Sequence, residues 1–99
     1  MAELAERFRA EAQDRSAQIE LLLASLPAAA DPAMICDEIR DHAHKIKGAA
    51  GMFGFDELRA RASELEEEAS AQSGAADGGV AAAELAPVFA ELTAAIPAE

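Results

Sequence analysis

The sequence predicts an all-α protein, folded as an antiparallel up-and-down four-helix bundle. Apolar residues return every three or four positions through four separate segments, which is the period of one helical face. β-branched residues are scarce, and no stretch alternates apolar and polar over a strand's length. With no Trp or Tyr and four Phe, the core has to be assembled mainly from Leu, Ile and Ala, the materials of a helical bundle. At 99 residues the chain is a single domain, residues 1–99, with one modest core and no room for a nucleotide-binding domain beside it.

The first segment, about Glu3 to Leu26, sets Leu4, Phe8, Ala12, Ile19, Leu22 or Leu23, and Leu26 on one face, and Pro27 ends it. A short run of alanines leads to Asp31-Pro32. Aspartate is an N-cap acceptor, and proline at the first helical position loses nothing by lacking an N–H. The second helix turns Ile35, Ile39, Ile46, Ala50 and Phe53 inward and stops at Gly54. A third begins near Phe55 or Asp56, with Asp56 and Glu57 favoured at its positive end, and buries Phe55, Leu58, Ala62, Leu65 and Ala69. Its acidic run Glu64-Leu65-Glu66-Glu67-Glu68 reads as a solvated face around a buried Leu65. Ser70 to Gly79, rich in Ser, Ala and Gly, reads as a flexible connection. The last helix, about Val80 to Ile96, points Leu85, Phe89, Leu92 and Ile96 inward, and Pro87 should kink it or mark its true start. No internal repeat is evident.

The formal net charge of −11 argues against nucleic-acid binding, which needs a basic footprint, and against an anionic membrane surface. Three of the eight basic residues, Arg40, Lys45 and Lys47, crowd around His44, a local positive spot suited to an anion or an acidic partner. Cys36 is the single cysteine, so no disulfide can form within the chain; it falls near the buried stripe as a small filler. No apolar run approaches the roughly 20 residues of a membrane span, and the N-terminus lacks the basic-then-apolar pattern of a signal peptide. A cytoplasmic location is expected.

His44 is the most informative residue. At about 100° per residue, it lies about 160° from the centre of the stripe formed by Ile35, Ile39, Ile46, Ala50 and Phe53, and so faces solvent. Gly48 and Gly51, one and two turns on, share that face. Each interior glycine costs a helix about 1 kcal/mol relative to alanine, and the simplest reason to carry two is that something approaches the imidazole closely. A neutral imidazole, populated near its reference pKa of about 6.5, is a nucleophile. Lys47, one turn from His44, can place an ammonium beside the oxygens of a phosphoryl group there. On spacing alone, a solvated surface histidine above two incidental glycines stays open.

Other chemistry is excluded by geometry. His42 and His44 diverge by about 200° on a helix and cannot share one metal. His42, about 40° from the buried stripe, reads as a structural, half-buried residue. Cys36 points to the core side, away from the imidazole. No serine or cysteine has a histidine and acid arranged as a triad, and no glycine loop precedes a phosphate-binding lysine.

The stretch from His44 to Gly54, with Leu58 and Leu65-Glu66 downstream, resembles the histidine-containing phosphotransfer (HPt) domain family. That family's pattern is His-x-x-Lys-Gly, small residues, a glycine about six further on, and Leu and Leu-Glu at helical spacing. The resemblance is strong over about Ile39 to Glu66 and extends loosely to the whole chain. It implies a phosphorelay intermediate with no catalytic activity and no cofactor of its own. A receiver domain's phospho-aspartate would pass its phosphoryl group to His44, usually at Nε2, and a second receiver would collect it; receivers supply Mg²⁺ and the catalytic groups. By the same resemblance Lys47 is the phosphate-steadying cation and Gly48 the gap that admits a receiver's loops. Gly51, Lys45 and Arg40 are expected on the docking face. Where the family often carries Cys, this chain has Ala62 or Ser63.

The run Gly51-Met52-Phe53-Gly54-Phe55 is similar to one in the N-terminal phosphoacceptor domain of chemotaxis-type histidine kinases, which shares the pattern and takes phosphate from an ATP-binding kinase domain. A third reading, from a different class, is a helical adaptor that binds a partner without chemistry.

Overall fold

The computed structural model describes residues 2–74 and 77–97. Four helices appear in the expected order: α1 (Ala2–Ser25), α2 (Pro32–Phe53), α3 (Asp56–Ser73) and α4 (Gly78–Ala95), with a short 3₁₀ turn, Leu26–Ala28, after α1. No strand occurs among the described residues. Each helix packs on its neighbours in sequence, α2 most extensively on α3, and α1 closes against α4. The result is an up-and-down bundle measuring 44 × 19 × 18 Å. The 24-residue α1, about 36 Å long at 1.5 Å per residue, spans most of the long dimension.

The caps act as the local sequence suggests. Asp31 accepts from the Met34 backbone N–H at 3.2 Å, with Pro32 in the first turn of α2. Gly54 ends α2 with φ 77°, the left-handed conformation that glycine adopts without strain. There the Phe55 N–H reaches the Ala50 carbonyl at 2.9 Å and the Gly54 N–H reaches Gly51, a Schellman closure that turns the chain directly into α3. Phe8, Phe53 and Phe55 stack at centroid distances of 5.4–6.4 Å and seal this end of the bundle.

Phe8, Ala12, Ile19, Leu26, Cys36, Ile39, Ala43, Ile46, Ala50, Leu58, Ala62, Leu65, Ala69, Ala81, Leu85 and Leu92 form the buried core. Ile35, Phe53, Phe55, Phe89 and Ile96 pack on its edge, half-buried. Leu4, expected inside, is 44% exposed, because it lies in the first turn, beyond the layer that Phe8 closes.

The connection between the last two helices differs from expectation. Ser70–Ser73 continue α3, and the Ser73 hydroxyl donates to Asp37 Oδ1 at 2.8 Å, fastening the end of α3 to the start of α2. α4 begins at Gly78, two residues before Val80, with Asp77 capping the N–H groups of Gly79 and Val80. Ala75 and Ala76 lie outside the described residues. Gly78 is buried, and a Cβ there would overlap the Leu26 carbonyl oxygen, so the glycine admits the 3₁₀ turn against α4. Pro87 neither starts nor ends α4. Pro87 and Ala83, whose carbonyl loses its helical donor, are both exposed, so that carbonyl can be satisfied by water. No described helix is long and apolar enough to cross a membrane.

Candidate functional site

His44 stands at mid-length on the outer face of α2, and its side chain is 65% exposed. The residues on either side of it in space come from two helices. Lys47 is one turn further along α2. Glu66, 22 residues away in sequence, rises from α3 and touches both: its Oε2 lies 2.8 Å from His44 Nδ1 and its Oε1 lies 2.6 Å from Lys47 Nζ. The expectation that the acidic run of α3 is only a solvated face therefore fails at Glu66, which is 21% exposed and bridges two candidate site residues. Leu65 is buried as expected. Its burial turns the next residue along α3 toward the α2 seam, where a carboxylate reaches His44 and Lys47.

The bridge has a chemical consequence. A hydrogen bond from Lys47, seconded by one from His44, holds the Glu66 carboxyl below the usual glutamate range, against the opposing effect of its partial burial. An ionised carboxylate only accepts hydrogen bonds, so the proton between Glu66 and the imidazole belongs to His44 Nδ1. In the neutral ring this tautomer leaves the Nε2 lone pair free. The arrangement orients the ring, selects its tautomer and can balance positive charge developing on it.

Gly48 is exposed, and a Cβ built there meets nothing within 4 Å, so the surface beside His44 is open as expected. Gly51 differs. It lies on the same face, but its missing Cβ is covered from within the chain: the Arg59 side chain of α3 crosses it, with Cδ and Nε 3.2 and 3.3 Å from where a Cβ would stand. The expected cluster of free cations around His44 is also largely neutralised. Arg40 pairs with Asp37 at 3.3 Å and Asp41 at 3.5 Å, and Lys47 pairs with Glu66. Lys45 is exposed on the flank toward α1. Sequence reasoning missed Glu66 and Arg59 as neighbours of this face. Glu66 had a signal in the Leu65-Glu66 pair; Arg59 had none.

His42 is half-buried and structural in its contacts. Its Nδ1 lies 3.2 Å from Arg15 Nη1 of α1. Because guanidinium only donates, Nδ1 must be the acceptor and the ring neutral. Burial, with the charges of Arg15 and Lys45, holds its pKa below the usual histidine value. Cys36 is fully buried beneath this face, which together with the Asp37 charge pushes its thiol pKa up, the reverse of a reactive cysteine. Among the described residues, no group of three or more His, Cys, Asp or Glu side chains is placed to hold a metal ion.

A family model, the Hpt domain, matches residues 3–98, nearly the whole chain. No curated protein and no solved structure matches the sequence.

Proposed function

Since the chain belongs to the Hpt domain family, the phosphotransfer modules of phosphorelay signalling, we propose that it carries a phosphoryl group on His44 between partner proteins. The observation that supports this most directly is the Glu66–His44 Nδ1 contact, which leaves Nε2 as the free nucleophile on an exposed ring. In the forward step the Nε2 lone pair attacks the phosphorus of a partner's aspartyl phosphate. The N–P bond forms as the P–O bond to the aspartate breaks, and the aspartate leaves as a carboxylate. Nδ1 keeps its proton, so no proton has to move, and the positive charge that develops on the ring is balanced by Glu66 2.8 Å away. Lys47, one turn from His44 along α2, steadies the phosphoryl oxygens when it shifts from Glu66. Mg²⁺ and the groups that act on the leaving aspartate come from the partner. Gly48 leaves the space into which the partner's loops fit.

The donor in this proposal is a receiver domain, and a second receiver is the acceptor. A kinase as direct donor is the alternative favoured by the run Gly51-Met52-Phe53-Gly54-Phe55, which is similar to that of chemotaxis-type phosphoacceptor domains. Incubation with receiver domains charged by acetyl phosphate, and separately with histidine kinases and ATP, distinguishes the two by which panel transfers acid-labile phosphate to the chain. His44→Gln should abolish the label. A chain that binds a partner yet takes no phosphate from either panel is an adaptor, and the proposal is then wrong.

A further inference from the structure

Gly51 gives up a side chain on an exposed helix face, and the space it leaves is taken by Arg59. We infer that Arg59, laid across Gly51, is a partner-reading residue: its guanidinium meets a carboxylate on the rim of the phosphoryl-bearing partner's active site. This rests on the reading of His44 as the phosphoacceptor.

The first argument is the state of the cations. In a chain with 19 acidic and 8 basic residues, Arg59 shares with Arg7 and Lys45 the lack of an ion pair among the described residues, and of these Arg59 and Lys45 flank the face of His44. Arg15 pairs with Glu11, Arg40 with Asp37 and Asp41, Lys47 with Glu66, and Arg61 with Glu57, Glu64 and Glu91. Arg59 makes no ion pair among the described residues, although Asp56 lines the same shallow groove as Arg59 and Lys47. It is held by the surface of α2 rather than by charge.

The second argument is position. Gly51 lies seven residues beyond His44, about 10 Å along the helix at 1.5 Å per residue. That is too far for Arg59 to touch a phosphoryl group on His44, but within the footprint of any protein docked over it. Between them the outer face of α2 is low and apolar. Gly48 is open, and Met52, one turn on, is 81% exposed, the most exposed of the large apolar side chains among the described residues. Lys45 borders this strip on the α1 side and Arg59 on the α3 side. A low apolar strip between two cations, on a domain otherwise strongly acidic, fits a partner with an apolar contact and an acidic rim. Such a partner is repelled by the rest of the surface and admitted here, the arrangement by which rim charges set orientation and encounter rate.

The test uses the full chain and a receiver domain charged with acetyl phosphate. At low salt, Arg59→Ala should raise the KM for the charged receiver roughly fivefold and Arg59→Glu by more, with kcat unchanged and Arg59→Lys close to wild type. The differences should vanish near 1 M salt, where the screening length is about 3 Å. Gly51→Ala, whose Cβ presses Arg59 aside by a few tenths of an ångström, should raise the KM less than Arg59→Ala does in the wild-type background and add nothing in the Arg59→Ala background. Thermal unfolding of each variant checks that the fold is intact. If the wild type takes no phosphate, the phosphoacceptor reading falls and this inference with it. If the wild type is phosphorylated but Arg59→Glu has an unchanged KM, or Gly51→Ala impairs transfer equally in both backgrounds, only the role of Arg59 is overturned.

Discussion

Replacing Glu66 separates a bridge that matters for transfer from an ordinary surface ion pair. Its carboxylate lies 2.8 Å from His44 Nδ1 and is 21% exposed, whereas the imidazole is 65% exposed. Unit charges about 4 Å apart interact by about 1 kcal/mol in water and about 4 kcal/mol at an effective dielectric near 20. With one partner mostly solvated and the other mostly covered, about 1.5–2 kcal/mol is a reasonable share for stabilising the ring as it becomes positive. At 1.36 kcal/mol per tenfold, Glu66→Ala should slow kcat for phosphorylation of His44 by roughly 10- to 30-fold with little change in KM. Glu66→Gln keeps an acceptor for Nδ1–H but loses the charge and releases Lys47, so its loss should be smaller. Single-turnover transfer from a charged receiver measures the rates, and long-range ¹H–¹⁵N correlation spectra of the imidazole report the tautomer. The wild type should show the Nδ1–H form and Glu66→Ala a mixture. A Glu66→Ala chain that transfers within twofold of wild type, or keeps a single Nδ1–H tautomer, would refute the reasoning. Because the Glu66 pKa is depressed in the folded chain, the bridge persists through mildly acid pH and is lost only as the pH falls below the ordinary glutamate range of about 4.5.

Gly48→Leu should leave the fold as stable or firmer by up to about 1 kcal/mol, since its Cβ meets nothing, while strongly impeding transfer; chemical denaturation and the transfer assay read the two effects apart. Gly78→Ala should do the opposite, costing about 1–3 kcal/mol because its Cβ meets the fixed backbone of Leu26, seen as a fall in melting temperature of roughly 5–15 °C. Ser16, buried with a hydroxyl that finds no partner, should gain about 1 kcal/mol in stability as Ser16→Ala, measured by denaturant titration. His42 has a folded pKa below its ordinary 6.5, so the unfolded chain binds the extra proton and stability declines as the pH falls from about 6.5 through the folded value. Arg15, Lys45, Glu38 and Asp41 are the charges acting on it, and His42→Gln should flatten that part of the stability profile.

Much of the molecule was legible one helix at a time. The stripe through Ile39, Ile46 and Ala50 sets the rotation of α2, and that rotation alone turns His44 outward and Cys36 inward. Asp31-Pro32 and Gly54 mark the ends of α2 because capping is satisfied within a few residues of chain. Periodicity failed where a residue's role depends on what faces it from another helix. Glu66 looks like its neighbours Glu64 and Glu67 until α3 is docked on α2. Gly51 looks like Gly48 until Arg59 is seen lying over it, and Gly78 looks like loop until Leu26 is placed against it.

The sequence by itself therefore determined the helical bundle, its boundaries to within a few residues, and an exposed histidine in the Hpt pattern. These follow from hydrogen bonding and burial repeated along a single chain segment. Only the tertiary structure decided that Glu66 contacts His44 Nδ1 and so selects its proton, that Lys47 is paired with the same carboxylate, and that one of two similar glycines is open while the other is occupied. Those outcomes depend on ångström-scale distances between side chains 8 to 22 residues apart in sequence, which packing sets and helical spacing does not.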